Sequence, residues 1–127
     1  MKIIALSLSA LAIFAASAPN ASAADLLTGE EIAALASGAK WKGRAQRGGG
    51  TWTTETNADG SATFAMDDYS FSDSGSWRVK GDVYCSKWKT IRDGAEACYA
   101  LRPTSGGKYE LLSRDGRRDL KVTVTKN

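Results

Sequence analysis

Histidine is absent from the 127 residues, cysteine occurs only twice, and beyond the first 23 residues there is no long apolar run. Each shortage removes a class of function. Without histidine the usual general base near neutral pH and the commonest nitrogen ligand for a metal are missing. If the two cysteines pair, the sulfur nucleophile goes too, and a serine nucleophile would then need a lysine base that no spacing singles out. Crossing roughly 30 Å of hydrocarbon takes about 20 apolar residues, and nothing in the chain comes near that, so no transmembrane segment is expected. The expectation is a protein that is not an enzyme and carries no cofactor and no metal.

What is present begins with an export signal. Lys2 forms a short basic region, Ile3 to Ala16 an apolar one, and Ala21-Ser22-Ala23 a small-residue cleavage site, so residues 1–23 read as a signal peptide and residues 24–127 as one mature β-rich domain. No cysteine lies near the cleavage point, so a lipid anchor on a processed N-terminal Cys is not expected. The location implied is periplasmic or secreted, an oxidising compartment in which Cys85 and Cys98 are expected to form a disulfide. Closing a loop of about 14 residues in this way stabilises a small domain by about 3 kcal/mol.

After the cleavage site the hydrophobic period is first helical and then that of strands. Thr28 can cap the amide of Glu31 while Glu31 reaches back, Leu27 can staple onto Ile32, and Gly38 supplies a left-handed stop, which predicts a helix over Gly29 to Ser37. From Lys40 onward apolar and polar residues alternate: Trp52, Thr54 and Thr56 share a face, as do Ala62, Phe64 and Met66; Tyr69 goes with Phe71, Trp77 with Val79, Val83 with Cys85, Tyr109 with Leu111, and Leu120 with Val122 and Val124. Turn signals separate these runs at Asp59-Gly60, Ser74-Gly75, Gly81-Asp82, Asp93-Gly94, Gly106-Gly107 and Asp115-Gly116. The pattern is a mainly β fold, an antiparallel meander of seven to eight strands with one short N-terminal helix. With a single helix available, the sheet buries its apolar face by closing into a small barrel or folding into a sandwich, the barrel being favoured. Gly48-Gly49-Gly50 suits a mobile loop or sharp corner and lacks the pattern of a phosphate-cradling loop. Asp67-Asp68 reads as a turn, since neighbouring strand positions point to opposite faces and make poor partners for hydrolysis.

The most distinctive stretch runs from Gly75 to Tyr99. Trp77, the Gly81-Asp82 turn, Cys85, Trp88 and Cys98 outline a hairpin whose pattern, G-x-W, G-D, C-x-x-W and a second Cys, resembles that of a family of small exported alphaproteobacterial proteins built on a domain without an assigned function. The resemblance rests on Gly75, Trp77, Gly81, Asp82, Cys85, Trp88 and Cys98, and implies a β-rich exported domain with a disulfide. Lys40-Trp41-Lys42 and Gly50-Thr51-Trp52 give a second resemblance, to small secreted barrels that inhibit bacterial metalloproteases. There the bridge closes a larger loop than Cys85 to Cys98 would. In this chain a two-residue Asp93-Gly94 turn would set Cys85 opposite Arg102, and neighbours even two residues out of register lie about 7–8 Å apart, too far for a disulfide. A wider loop or bulges must therefore interrupt the pairing between Trp88 and Ala97, which would leave Lys89 and Arg92 on a protruding tip.

Charge points to a partner. Residues 24–76 carry 4 basic and 8 acidic side chains, residues 77–127 carry 12 and 6. If Val83 and Cys85 face inward, Lys87 and Lys89 share their parity and Trp88 faces out between them. An exposed Trp88 beside Lys87, Lys89 and Arg92 would suit an anionic polysaccharide, a lipid headgroup or an acidic protein; no nucleic-acid partner is expected. The functional expectation is a non-enzymatic exported binding domain using that basic face. The alternatives are an inhibitor-like barrel that uses residues 24–27 or a loop as a plug, and a small carrier with an internal apolar cavity.

Overall fold

The computed structural model describes residues 25–45, 49–113 and 119–127, without the side chain of Asp119. The expected signal peptide and the Asp115-Gly116 turn lie outside the described residues. Within them one helix, α1 (Gly29–Ala36), precedes eight strands: β1 (Ala39–Arg44), β2 (Thr51–Thr56), β3 (Ser61–Met66), β4 (Ser72–Lys80), β5 (Val83–Trp88), β6 (Ala97–Pro103), β7 (Lys108–Ser113) and β8 (Asp119–Lys126). Each strand pairs antiparallel with the next, and β8 returns to β1 with Trp41 opposite Val124, so the sheet closes into a barrel. Closure leaves no unpaired edge, and this is how a chain with one short helix buries the apolar face of its sheet.

The helix forms where its capping signals stand. Thr28 Oγ1 accepts from the Glu31 amide at 3.2 Å, Glu31 Oε1 accepts from the Thr28 amide at 2.9 Å, and the chain leaves through Gly38 at φ 73°. Ile32 and Ala36 face the barrel and are buried in a core that also holds Trp41, Tyr84, Leu101 and Val122. The helix therefore covers the end of the barrel where β2–β3, β4–β5 and β6–β7 turn. Asp82, in the β4–β5 turn, accepts from the Gly29 amide at 2.7 Å, and the Lys126 ammonium donates to the carbonyls of Ala34 (2.6 Å), Leu35 (3.1 Å) and Ser37 at the other helix end. A cation among the last carbonyls of a helix meets both its unpaired acceptors and the negative end of its dipole.

Two expectations are corrected. Ser74-Gly75 is not a turn but lies inside the nine-residue β4. Gly75 sits opposite Trp88, and a Cβ there would come within 2.0 Å of the Lys87 carbonyl oxygen, so this glycine serves a close approach of β4 to β5. The inward parity of β5 is also the reverse of that expected: Tyr84, Ser86 and Trp88 face the lumen, and Cys85 lies on the outer side. The alternation of β5 is apolar on both faces, so the sequence pattern admitted either phase.

Cys85 and Cys98 are directly paired across β5 and β6, 4.0 Å apart at Cα, and are bonded. The connection between them is not a tight hairpin. Pairing stops at Ser86–Ala97, and a 3-10 turn over Ile91–Gly94 fills the gap, as the register argument required.

Candidate functional site

Opposite the helix none of the described residues closes the barrel. The lumen there forms a cavity of about 380 Å³, within the size range of small-molecule sites. One wall is aromatic. Trp52 (β2) stacks on Phe64 (β3) at 5.8 Å between ring centroids, and Phe64 meets Trp88 (β5) edge-on at 5.9 Å and Phe71 at 6.0 Å. The facing wall is aliphatic, from Leu111 of β7 and Leu120 of β8. The floor is Trp41 stacked on Tyr84 at 5.0 Å, with the Trp41 indole N–H donating to Thr56 Oγ1 at 2.8 Å and that hydroxyl donating to the Ala36 carbonyl at 2.5 Å. Burial pushes the Tyr84 hydroxyl far above the ordinary range of a phenol, so it stays protonated.

The width of the lumen is written in small residues of the wall. Gly43 of β1 faces inward opposite Trp52, and a Cβ there would lie 2.2 Å from the indole, so the absent side chain is the space into which Trp52 lies. At the rim Tyr69 and Phe71, in the connection between β3 and β4, are the large apolar residues left exposed among the described residues, at 62% and 39%. Both line the mouth of the cavity.

The β5–β6 connection is fixed over that mouth by one carboxylate. Asp73 Oδ2 accepts from the amides of Thr90 (3.0 Å) and Ile91 (2.9 Å) and from the Thr90 hydroxyl (2.8 Å). Burial alone would raise this carboxyl, but the hydrogen bonds to Ile91, Thr90 and Ser74 outweigh it and hold Asp73 down at about 2. The chain then enters the left-handed region at two successive non-glycine residues, Arg92 (φ 58°) and Asp93 (φ 53°). Strain of this kind costs on the order of 1–3 kcal/mol per residue and persists where the surroundings enforce it. Its effect here is to turn the Arg92 guanidinium back towards the lumen, 3.2 Å from Ser86 Oγ, 3.3 Å from the Ser86 carbonyl and 3.4 Å from the Tyr99 hydroxyl.

The structure thus splits the four residues that the sequence grouped. Trp88 is 6% exposed, with its ring in the lumen, and Arg92 lies at the mouth beside it, whereas Lys87 and Lys89 are on the outside. The exposed Trp88 of the sequence reading is therefore corrected: with the reversed phase of β5, the even-numbered residues face in. Arg92 is exposed, as expected, but the left-handed turn folds its guanidinium back against Ser86 and Tyr99. The basic second half is also less free than its count implied. Arg78 forms a two-pronged ion pair with Glu96, Arg102 pairs with Glu110, and Lys126 is spent on the helix end. Asp67 and Asp68 brace the open end, where Asp67 accepts from the hydroxyls of Thr51 and Thr53, and those bonds keep its carboxyl below the usual range. Cys85, Cys98 and Glu96 come together on the outer surface, but sulfurs bonded to each other offer no thiolate to a metal.

Sequence reasoning did not single out Trp52, Phe64, Ser86, Tyr99 or the Leu111–Leu120 wall as site residues. Inward parity was their only signal, and in a closed barrel that parity marks core and cavity alike. Comparison of the chain with protein-family models, curated proteins and solved structures finds no match. The two resemblances rest on the quoted residues alone.

Proposed function

We propose that this protein is an exported, non-catalytic binding protein that holds a small apolar molecule inside its barrel. The supporting observation is the cavity of about 380 Å³ at the end away from α1, lined by three tryptophans. An apolar lumen that stays open leaves aromatic surface in contact with water, and filling it with a ligand recovers the burial that folding left incomplete, at about 25 cal/mol per Å². The described lining residues include no carboxylate, no histidine and no thiol.

The reading that places binding on an outer basic face loses its apolar anchor once the Trp88 ring is in the lumen. Of the two plugs the inhibitor-like reading allows, the N-terminal one is tied down: the Leu27 amide donates to the Leu101 carbonyl at 2.8 Å and its side chain packs on the core at the closed end.

The test uses N-phenyl-1-naphthylamine, an uncharged dye that fluoresces in apolar surroundings. The expected result is saturable binding by the mature chain with quenching of tryptophan emission, abolished by Leu120→Trp, which fills the lumen from β8. Dye binding that is unchanged in that variant would refute a lumenal site.

A further inference from the structure

The lumen is apolar except along one strip, and that strip has a definite electrical sense. Arg92 is the charged residue among the described lining residues of the cavity. Its guanidinium offers five N–H donors, and those in use reach only neutral oxygens of Ser86 and Tyr99, at 3.2 to 3.4 Å. Hydrogen bonds to a charged partner are usually shorter, about 2.7–2.9 Å. Among the described residues no carboxylate comes within ion-pair distance of it, whereas Arg78 on β4 and Arg102 on β6 each have one. A cation carried on two consecutive left-handed residues, in a loop pinned by Asp73, and turned towards an apolar cavity is held in readiness for a negative charge that none of the described residues supplies.

The hydroxyls beside it have the same sense. Ser86 and Tyr99 are buried on neighbouring strands, β5 and β6, and each can turn its O–H towards an oxygen seated on the guanidinium. Below this polar strip the cavity is lined by the Trp52–Phe64–Trp88 wall and the leucines opposite, and the described lining residues include no second charge to receive another polar end. Resting on the lumenal reading above, we infer that the ligand is an amphipathic organic monoanion: an apolar, ring-bearing body between the aromatic and aliphatic walls, with one carboxylate or sulfonate at the mouth on Arg92, Ser86 and Tyr99.

A matched pair of probes separates this inference from the reading beneath it. N-phenyl-1-naphthylamine and 1-anilinonaphthalene-8-sulfonate share one apolar body, and only the second carries an anion. Wild-type protein, its fold verified by near-UV circular dichroism, is expected to bind the sulfonate about tenfold or more tightly than the neutral dye, the size of one charged hydrogen bond. The preference should shrink as salt rises, disappear in Arg92→Gln, return in part in Arg92→Lys, and be unaffected by Lys87→Gln on the outer face. Binding of the neutral dye with no preference for the sulfonate, or a preference that survives Arg92→Gln, overturns the monoanion and leaves the lumenal site standing. Failure of both probes to bind overturns both. The comparison of the two dyes on wild-type protein needs no variant, so an Arg92→Gln chain that does not fold leaves it decisive.

Discussion

The two ends of the barrel are built from the same alternating strands and finished in opposite ways. At the closed end a threonine hydroxyl, itself held by an indole, a lysine ammonium and an aspartate are all committed to α1, and the side chains beneath it are buried. At the open end the rings of Trp52, Phe64 and Trp88 surround empty space, Tyr69 and Phe71 lie in water, and the backbone is strained at Arg92 and Asp93. Stability is concentrated where the helix plugs the barrel. Strain, exposed apolar surface and an arginine without a carboxylate partner among the described residues collect at the other end, which is the distribution expected when a rigid scaffold carries a site in its loops.

The contrast is broken most directly by truncating one tryptophan at each end. Trp41→Ala should destabilise by about 3–5 kcal/mol, because it opens a void in a packed floor and strips a partner from the Thr56 hydroxyl. Trp88→Ala should cost clearly less in the same urea titration, since its ring borders space that already exists, and should alter dye binding instead. Equal losses would mean that the open end is core and not a site.

Next in size is the disulfide. Replacing Cys85 and Cys98 with Ser should lower stability by about 2–4 kcal/mol, and intact-mass measurement before and after reduction should differ by two hydrogens. The loss should fall on the β5–β6 side of the open end, so hydrogen exchange at Thr90 and Ile91 should quicken more than exchange within α1. Uniform quickening would argue against separate behaviour of the two ends.

The smallest effect at neutral pH concerns Asp73. Its carboxyl is held at about 2, below an ordinary aspartate near 3.9, so its contribution is complete above the higher value and is lost as pH falls towards the lower. Chemical shifts of the Thr90 and Ile91 amides should therefore titrate with a midpoint near 2. Asp73→Asn should remove that titration and loosen the mouth at every pH. A midpoint near 4 would mean that the carboxylate does not hold the loop.

Much of this architecture was legible in advance, for reasons particular to each element. Thr28, Glu31 and Gly38 specify a helix through contacts made within ten residues, and Gly81-Asp82 and Gly106-Gly107 specify turns through their own backbone freedom. The Cys85–Cys98 register forced a wide β5–β6 connection because a bridge tolerates so little separation at Cα. Ser74-Gly75 misled because a glycine needed for close strand contact looks the same in sequence as one needed for a turn. The face of β5 misled because Cys85, although outward, is buried beneath its neighbours, which makes both phases of the strand apolar.

Local chemistry by itself determined the kinds of element, their order, most of their turns and the disulfide pair, since caps, alternation and turn residues act over a few positions. Only the tertiary structure decided which face of β5 looks inward, that Trp88 and Arg92 meet at a lumen while Lys87 and Lys89 do not, and that one end is sealed and the other open. Those outcomes depend on closure of β8 onto β1 and on the seating of α1, contacts between residues as far apart as Ala34 and Lys126, and no pattern along the chain encodes which of two alternating faces such a closure will enclose.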